Sequence, residues 1–157
     1  MRRYPITPAG QTRMRAELKQ LVEVERGACV KAIEIARAHG DLSENSEYDD
    51  AKHRQGLCEA KIRDLKGRLA AAEVIDPSTL SGDRVMFGAR VTLEDVDTDE
   101  ELTYQLVGTY EADLKVGRIS VESPIGKALL GKEVDDEVKI RVPKGTRVVS
   151  ILKVEYR

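Results

Sequence analysis

Apolar positions in the first half of the chain recur at alternating steps of four and three. They are Met14, Leu18, Leu21, Ala28, Ala32 and Ile35, with the charged Glu25 filling one slot of the row. A second row, Tyr48, Ala51, Gln55, Cys58, Ile62, Leu65, Leu69 and Ala72, steps by three and four without a break. Both rows carry the 3.5-residue repeat of a coiled-coil seam. Thr7-Pro8 predicts the start of the first helix, with Thr as N-cap and Pro at the first helical position. His39-Gly40 predicts its end, with Gly as the left-handed cap. The segment between the rows is short, so the two helices are expected to run antiparallel. Their registers agree: the pairs Ile35 with Ala51, Ala28 with Cys58 and Leu21 with Leu65 all have the same sum of residue numbers. Each arm is then roughly 30 residues long, or about 45 Å at ~1.5 Å per residue.

Beyond residue 76 the period changes from 3.5 to 2. Asp76-Pro77-Ser78 and Ser81-Gly82-Asp83 punctuate a linker. Alternating runs follow at Ala89-Val91-Leu93, Leu102-Tyr104-Leu106, Ile119-Val121, Val138-Ile140-Val142 and Val148 to Tyr156. They predict strands of a mostly antiparallel sheet. Ser123-Pro124 opens a short helix that Gly131 closes, and Pro143-Lys144-Gly145 reads as a hairpin turn. The acidic stretch from Glu94 to Glu101 is expected to be a solvated loop. The fold class is therefore α+β, with an N-terminal antiparallel coiled-coil hairpin over 1–76 and a sheet domain with a short helix over 77–157.

Composition narrows the possible chemistry. Hydrophobic residues make up 41% and charged residues 34%, a soluble balance, and a net charge of −2 does not advertise nucleic-acid binding. One Phe and no Trp argue against a large aromatic-lined pocket. Met1-Arg2-Arg3-Tyr4-Pro5 leads into no apolar run of signal-peptide length, and no stretch approaches the ~20 apolar residues of a membrane span. The two cysteines, Cys29 and Cys58, fit a reducing cytosol. Both fall in predicted helices, where they read as small core-facing thiols, with a disulfide across the helices left open.

Core packing does not account for the end of the hairpin. Residues 40–48, Gly40-Asp41-Leu42-Ser43-Glu44-Asn45-Ser46-Glu47-Tyr48, concentrate acids at the bend. Asp41 followed by Glu44 reads as a capping box, with Ser43 as an alternative N-cap. The same carboxylates are hard oxygen ligands suited to Mg²⁺, too few for a full site but able to complete one on a partner. Arg37, Lys52, His53 and Arg54 flank the bend. They read either as ion-pair partners of acids such as Glu34 and Asp49 or as contacts for a phosphate backbone.

The bend and the helix after it, through Gln55-Gly56-Leu57-Cys58-Glu59, closely resemble the Gre transcript-cleavage factors of bacteria. So do Ile6-Thr7-Pro8-Ala9-Gly10, Val85-Met86-Phe87-Gly88-Ala89, Ser123-Pro124-Ile125-Gly126-Lys127-Ala128-Leu129-Leu130-Gly131-Lys132 and Ile151-Leu152-Lys153-Val154-Glu155-Tyr156. The resemblance covers both halves and is nearer the GreA type than the GreB type, whose hairpin is more basic. It implies an FKBP-like C-terminal domain that docks on bacterial RNA polymerase at the rim of the secondary channel, with the coiled coil reaching the active centre. It implies a cytoplasmic accessory factor that makes the polymerase cut its own backtracked RNA and is not itself a nuclease. Asp41 and Glu44 would direct a Mg²⁺ shared with the polymerase active centre, and Ser43 would help position water. No metal would be held tightly by the free protein. Arg37 and Lys52 would contact the extruded RNA 3′ end, and Lys52 stands where close relatives are expected to carry Arg. Ser123, Pro124, Ile125 and Gly126 would belong to the docking surface, their other reading being helix-cap and turn chemistry. No membrane partner and no small-molecule substrate is expected.

Three rival readings remain. A Gre homologue with an altered tip blocks the channel without promoting cleavage, although the Asp41–Glu44 spacing follows the cleavage-competent pattern. A prolyl isomerase would need an aromatic-walled pocket, for which the second half offers only Phe87, Tyr104, Tyr110 and Tyr156. A coiled-coil adaptor would leave the acidic bend as capping alone.

Overall fold

The computed structural model describes residues 3–40, 45–143 and 145–156. The chain forms two compact units. One is Gln11–Ala71, and the other takes the stretch before it together with everything from Ala72 onward.

The first unit is a helical hairpin. Its first arm joins helix α1 (Pro8–Gln20), a π-helical turn (Leu21–Glu25) and helix α2 (Arg26–Arg37), and its second arm is helix α3 (Ser46–Ala71). Thr7 caps α1 as expected, its Oγ1 accepting the Gly10 N–H at 3.1 Å. After α2 the chain turns at Gly40, whose φ of 112° an L side chain rarely adopts.

On α3 the predicted seam is seen, with Ala51, Cys58, Ile62 and Leu65 buried. On the first arm it holds only as far as the π turn. Beyond it the buried residues are Cys29, Ile33 and Ala36, each one place later than the predicted Ala28, Ala32 and Ile35. Ile35, expected in the seam, is 52% exposed. The cause is local. The Arg26 N–H reaches back five residues to the Leu21 carbonyl, so the turn holds one residue more than an α-turn. Everything after it is advanced by one position on the helix surface. Ion pairs fasten the arms beside this turn. Arg26 donates to both oxygens of Glu59 at 2.8 and 3.1 Å, and Arg54 to Glu25 at 2.8 Å.

The second unit carries two sheets. Strands β1 (Tyr4–Ile6) and β2 (Ala72–Val74) pair in parallel, Ile6 opposite Val74. The larger sheet contains β3 (Arg90–Asp95), β4 (Glu101–Val107), β5 (Arg118–Ser120), β6 (Glu137–Val142) and β7 (Gly145–Glu155), in the order β5-β4-β3-β7-β6. Its pairings are antiparallel except β4–β5, which is parallel and departs from a purely antiparallel sheet. The inward residues Val91, Leu93, Leu106, Ile119, Ile140 and Ile151 close a core with Leu129 of helix α4 (Pro124–Leu129). The stretch from Glu94 to Glu101 is not wholly solvated as expected. Asp95 is buried, and its Oδ1 accepts the N–H groups of Asp97 and Thr98 at 2.9 and 3.3 Å, so it shapes the β3–β4 turn.

A buried acid joins the N-terminal stretch to this unit. Glu111 accepts the N–H groups of Thr7 and Gly108 at 3.0 and 2.9 Å and a bond from the Thr7 hydroxyl. In a capping box the third helical residue takes the cap's own N–H. Here that residue is Gly10, which has no side chain, and Glu111 does the work from far along the chain.

Candidate functional site

The bend of the hairpin is closed by Asn45. Its Oδ1 accepts the Tyr48 N–H at 3.1 Å, so Asn45 is the N-cap of α3, and its Nδ2 donates to the Ala36 carbonyl of α2 at 2.6 Å. One amide side chain therefore satisfies an orphan donor of α3 and ties it to the last turn of α2, where the Ala36 carbonyl also accepts the His39 N–H at 3.2 Å. His39 Nδ1 lies 2.8 Å from Glu47 Oε2, a second link across the bend. Asp41, Ser43 and Glu44 lie outside the described residues. Asn45 was not singled out in the sequence. Its place just before the second apolar row is the signal that would have found it.

Arg37 ends α2 with its guanidinium 5.9 Å from the centroid of the Tyr48 ring, within cation–π range. Lys52, one turn further along α3, is exposed and has no ion-pair partner among the described residues. Arg54 is committed to Glu25, which raises its pKa through the hydrogen bond to that carboxylate. Among the described residues no group of three or more His, Cys, Asp or Glu is placed to hold a metal ion.

The four residues expected at a docking surface sit together at the start of α4. Ser123 is its N-cap, accepting the Gly126 N–H at 3.0 Å and donating to the Ser120 carbonyl at 2.6 Å. Pro124 occupies the first turn. A Cβ at Gly126 would stand 2.1 Å from the Ser120 carbonyl oxygen, so only glycine fits. The cap and turn chemistry of Ser123, Pro124 and Gly126 is thus present. Ser123, Pro124 and Ile125 also line an open groove of about 410 Å³ with Leu114, Ile119, Pro143, Arg118 and Arg141. Leu114 is 70% exposed, large for an apolar side chain beside an apolar groove. No helix among the described residues is long and apolar enough to cross a membrane.

The described residues thus form two units: a two-armed helical hairpin, and a sheet unit with an apolar groove edged by Arg118 and Arg141. Residues 4–74 match the family described as "Transcription elongation factor, N-terminal", and residues 80–156 match "Transcription elongation factor, GreA/GreB, C-term". The chain belongs to the GreA/GreB family of transcription elongation factors. It is 52% identical to transcription elongation factor GreA of Syntrophotalea carbinolica, over 97% of this chain and 96% of that one. It is 51% identical to that of Rhodospirillum rubrum, over 99% of each. Among solved structures, GreA factor homolog 1 of Thermus thermophilus is 30% identical with a TM-score of 0.45, covering 98% of this chain and 99% of that one.

Proposed function

We propose that this transcription elongation factor binds bacterial RNA polymerase in the secondary channel and stimulates cleavage of backtracked RNA by the polymerase. It acts in the cytoplasm as an accessory factor, rescuing arrested complexes. Asp41 and Glu44 would hold a Mg²⁺ together with ligands of the polymerase active centre. Such an ion, once bound, neutralises developing phosphate charge and lowers the pKa of its water.

The observation that carries this reading is Asn45. Capping was the competing use for the acids at the bend, and the N-cap of α3 is already filled. The carboxylates of Asp41 and Glu44 are hard oxygen donors that capping does not require, which suits Mg²⁺. Two carboxylates make no cage, so the free protein binds the ion weakly. Ser43 would orient the attacking water by hydrogen bonding.

Arg37 and Lys52 contact the extruded 3′ end of the RNA. Lys52 supplies a point charge to phosphate, and the Arg37–Tyr48 pair offers a flat cationic face to a base. On the docking side, Pro124, Ile125 and their groove supply apolar contact. Ser123 and Gly126 hold the shape of that edge, because the Ser123 hydroxyl is already spent on the cap.

The test is transcript cleavage in an artificially backtracked polymerase complex, comparing wild type with Asp41→Ala and Glu44→Ala at equal occupancy. Acceleration by wild type alone supports ligands supplied in trans. Binding by wild type without acceleration would make the chain a channel-blocking relative.

A further inference from the structure

The proposed function uses neither cysteine. Cys29 on α2 and Cys58 on α3 are free, buried thiols, and with Ile62 they form one buried cluster between the arms. The π-helical turn brings them together. Sequence spacing alone pairs Cys58 with Ala28. The extra residue of the turn advances Cys29 into that place, in the same register as Ala36 with Ala51.

Each thiol has an acceptor for its proton. Cys29 donates to Glu25 Oε1 at 3.8 Å and Cys58 to the Leu21 carbonyl at 4.0 Å. Burial raises the Cys29 pKa, and the Arg54 guanidinium, paired with Glu25, opposes that rise. The backbone around the pair is loosened at three points. Gly27 and Gly56 each precede a cysteine by two residues, with nothing near the place of a side chain, and the π turn buries none of its residues. Interior glycine and a π turn both weaken a helix, so local opening there admits a small oxidant.

We propose that Cys29 and Cys58 are a redox modification site, a dithiol that a hydroperoxide converts to an intramolecular disulfide linking the two arms. Cys29, as thiolate with its proton passed to Glu25, attacks one oxygen of hydrogen peroxide. The O–O bond breaks, hydroxide leaves and takes up that proton, and a sulfenic acid forms. The Cys58 sulfur then attacks the Cys29 sulfur, the S–S bond forms and water departs with the Cys58 proton. In sum, two thiols and one peroxide give one disulfide and two waters, the sulfurs losing the two electrons that the peroxide gains. Burial makes the reaction slow. The bond closes the loop from 29 to 58 and removes freedom mainly from the unfolded chain. It locks the arms without consuming a residue of the bend, and it stands whether or not the tip acids act as proposed.

The test uses the full chain treated with hydrogen peroxide and then alkylated. The expected product is a monomer that has lost the mass of two hydrogens and yields one cross-linked peptide containing Cys29 and Cys58. Its helical melting transition should rise by several degrees and return on reduction with dithiothreitol. Cys58→Ala should abolish both the cross-link and the shift. Because the mass and peptide readouts need only wild type, an unfolded variant does not spoil the test. Oxygen adducts on separate cysteines, a bond between two chains, or untouched thiols under conditions that oxidise the urea-unfolded chain would each overturn the proposal.

Discussion

In the sheet unit, Val91, Leu93, Leu106, Leu129 and Ile151 close on one another in a single core, all but fully buried. The hairpin's buried cluster is smaller: Cys29, Cys58 and Ile62, with Leu18, Leu21 and Val22 partly buried against it. Toward the bend its seam thins to the small buried residues Ala36 and Ala51. A core concentrates the cost of a deletion at one place, because the surroundings relax only partly around a cavity. A seam spreads it, and ion pairs and caps carry more of the fastening. The chain thus combines a conventional folded body with a hairpin whose stability is distributed along its length.

The contrast can be broken most forcefully at the core. Leu106→Ala should cost about 3–4 kcal/mol, read as a lower urea midpoint in tyrosine fluorescence. That signal reports the sheet unit, since Tyr48 is the only tyrosine of the hairpin and Tyr4, Tyr104, Tyr110 and Tyr156 lie in the other unit. Ile62→Ala, at the most deeply buried large side chain of the seam, should cost about 2–3 kcal/mol in the helical signal at 222 nm. A loss equal to that of Leu106→Ala would deny the difference between core and seam. Glu111→Ala leaves the buried N–H groups of Thr7 and Gly108 without their acceptor and should cost about 2 kcal/mol, with loss of hydrogen-exchange protection at Thr7. Gly56→Ala should stabilise the hairpin by about 1 kcal/mol, because a Cβ there meets nothing. Ile35→Ala should change the hairpin midpoint by less than about 0.5 kcal/mol. A large loss would return Ile35 to the seam and remove the register shift.

Ile35 also marks where sequence reading stopped working. The repeat on α3 could be read directly, since Ala51, Cys58, Ile62 and Leu65 are all buried. On the first arm the same rule failed after residue 21, because it assumes a constant number of residues per turn. The one visible sign was Glu25, a charge in an apolar slot, and Glu25 lies inside the π turn. The longer strands were legible from their alternation. Strands β1 and β2 were not: they adjoin the two helical rows, and Ala72, the first residue of β2, reads as the last position of the second row. At the bend, residue chemistry pointed to Asp41 and Glu44, but the closing role of Asn45 depends on two bonds made to different arms. Asp95 and Glu111 were hidden for a related reason: acids are expected on the surface, and their burial becomes tolerable only through partners that single positions do not reveal, the N–H groups of its own turn and Arg147 for Asp95, and the N–H groups of Thr7 and Gly108 for Glu111.

The parallel pairing of Tyr4–Ile6 with Ala72–Val74 sets an order of events during synthesis. Strand β1 is made before its neighbour β2 and stays unpaired until both arms have been made, and the intervening chain would be a costly loop to close if it stayed flexible. Folding of the two arms back on each other replaces that search with local helix growth and a zipper of near contacts, both fast. The hairpin is then an assembly jig before it is a tool. Lesions that slow its closure should show up first as an unpaired, aggregation-prone β1 and only later as lost activity.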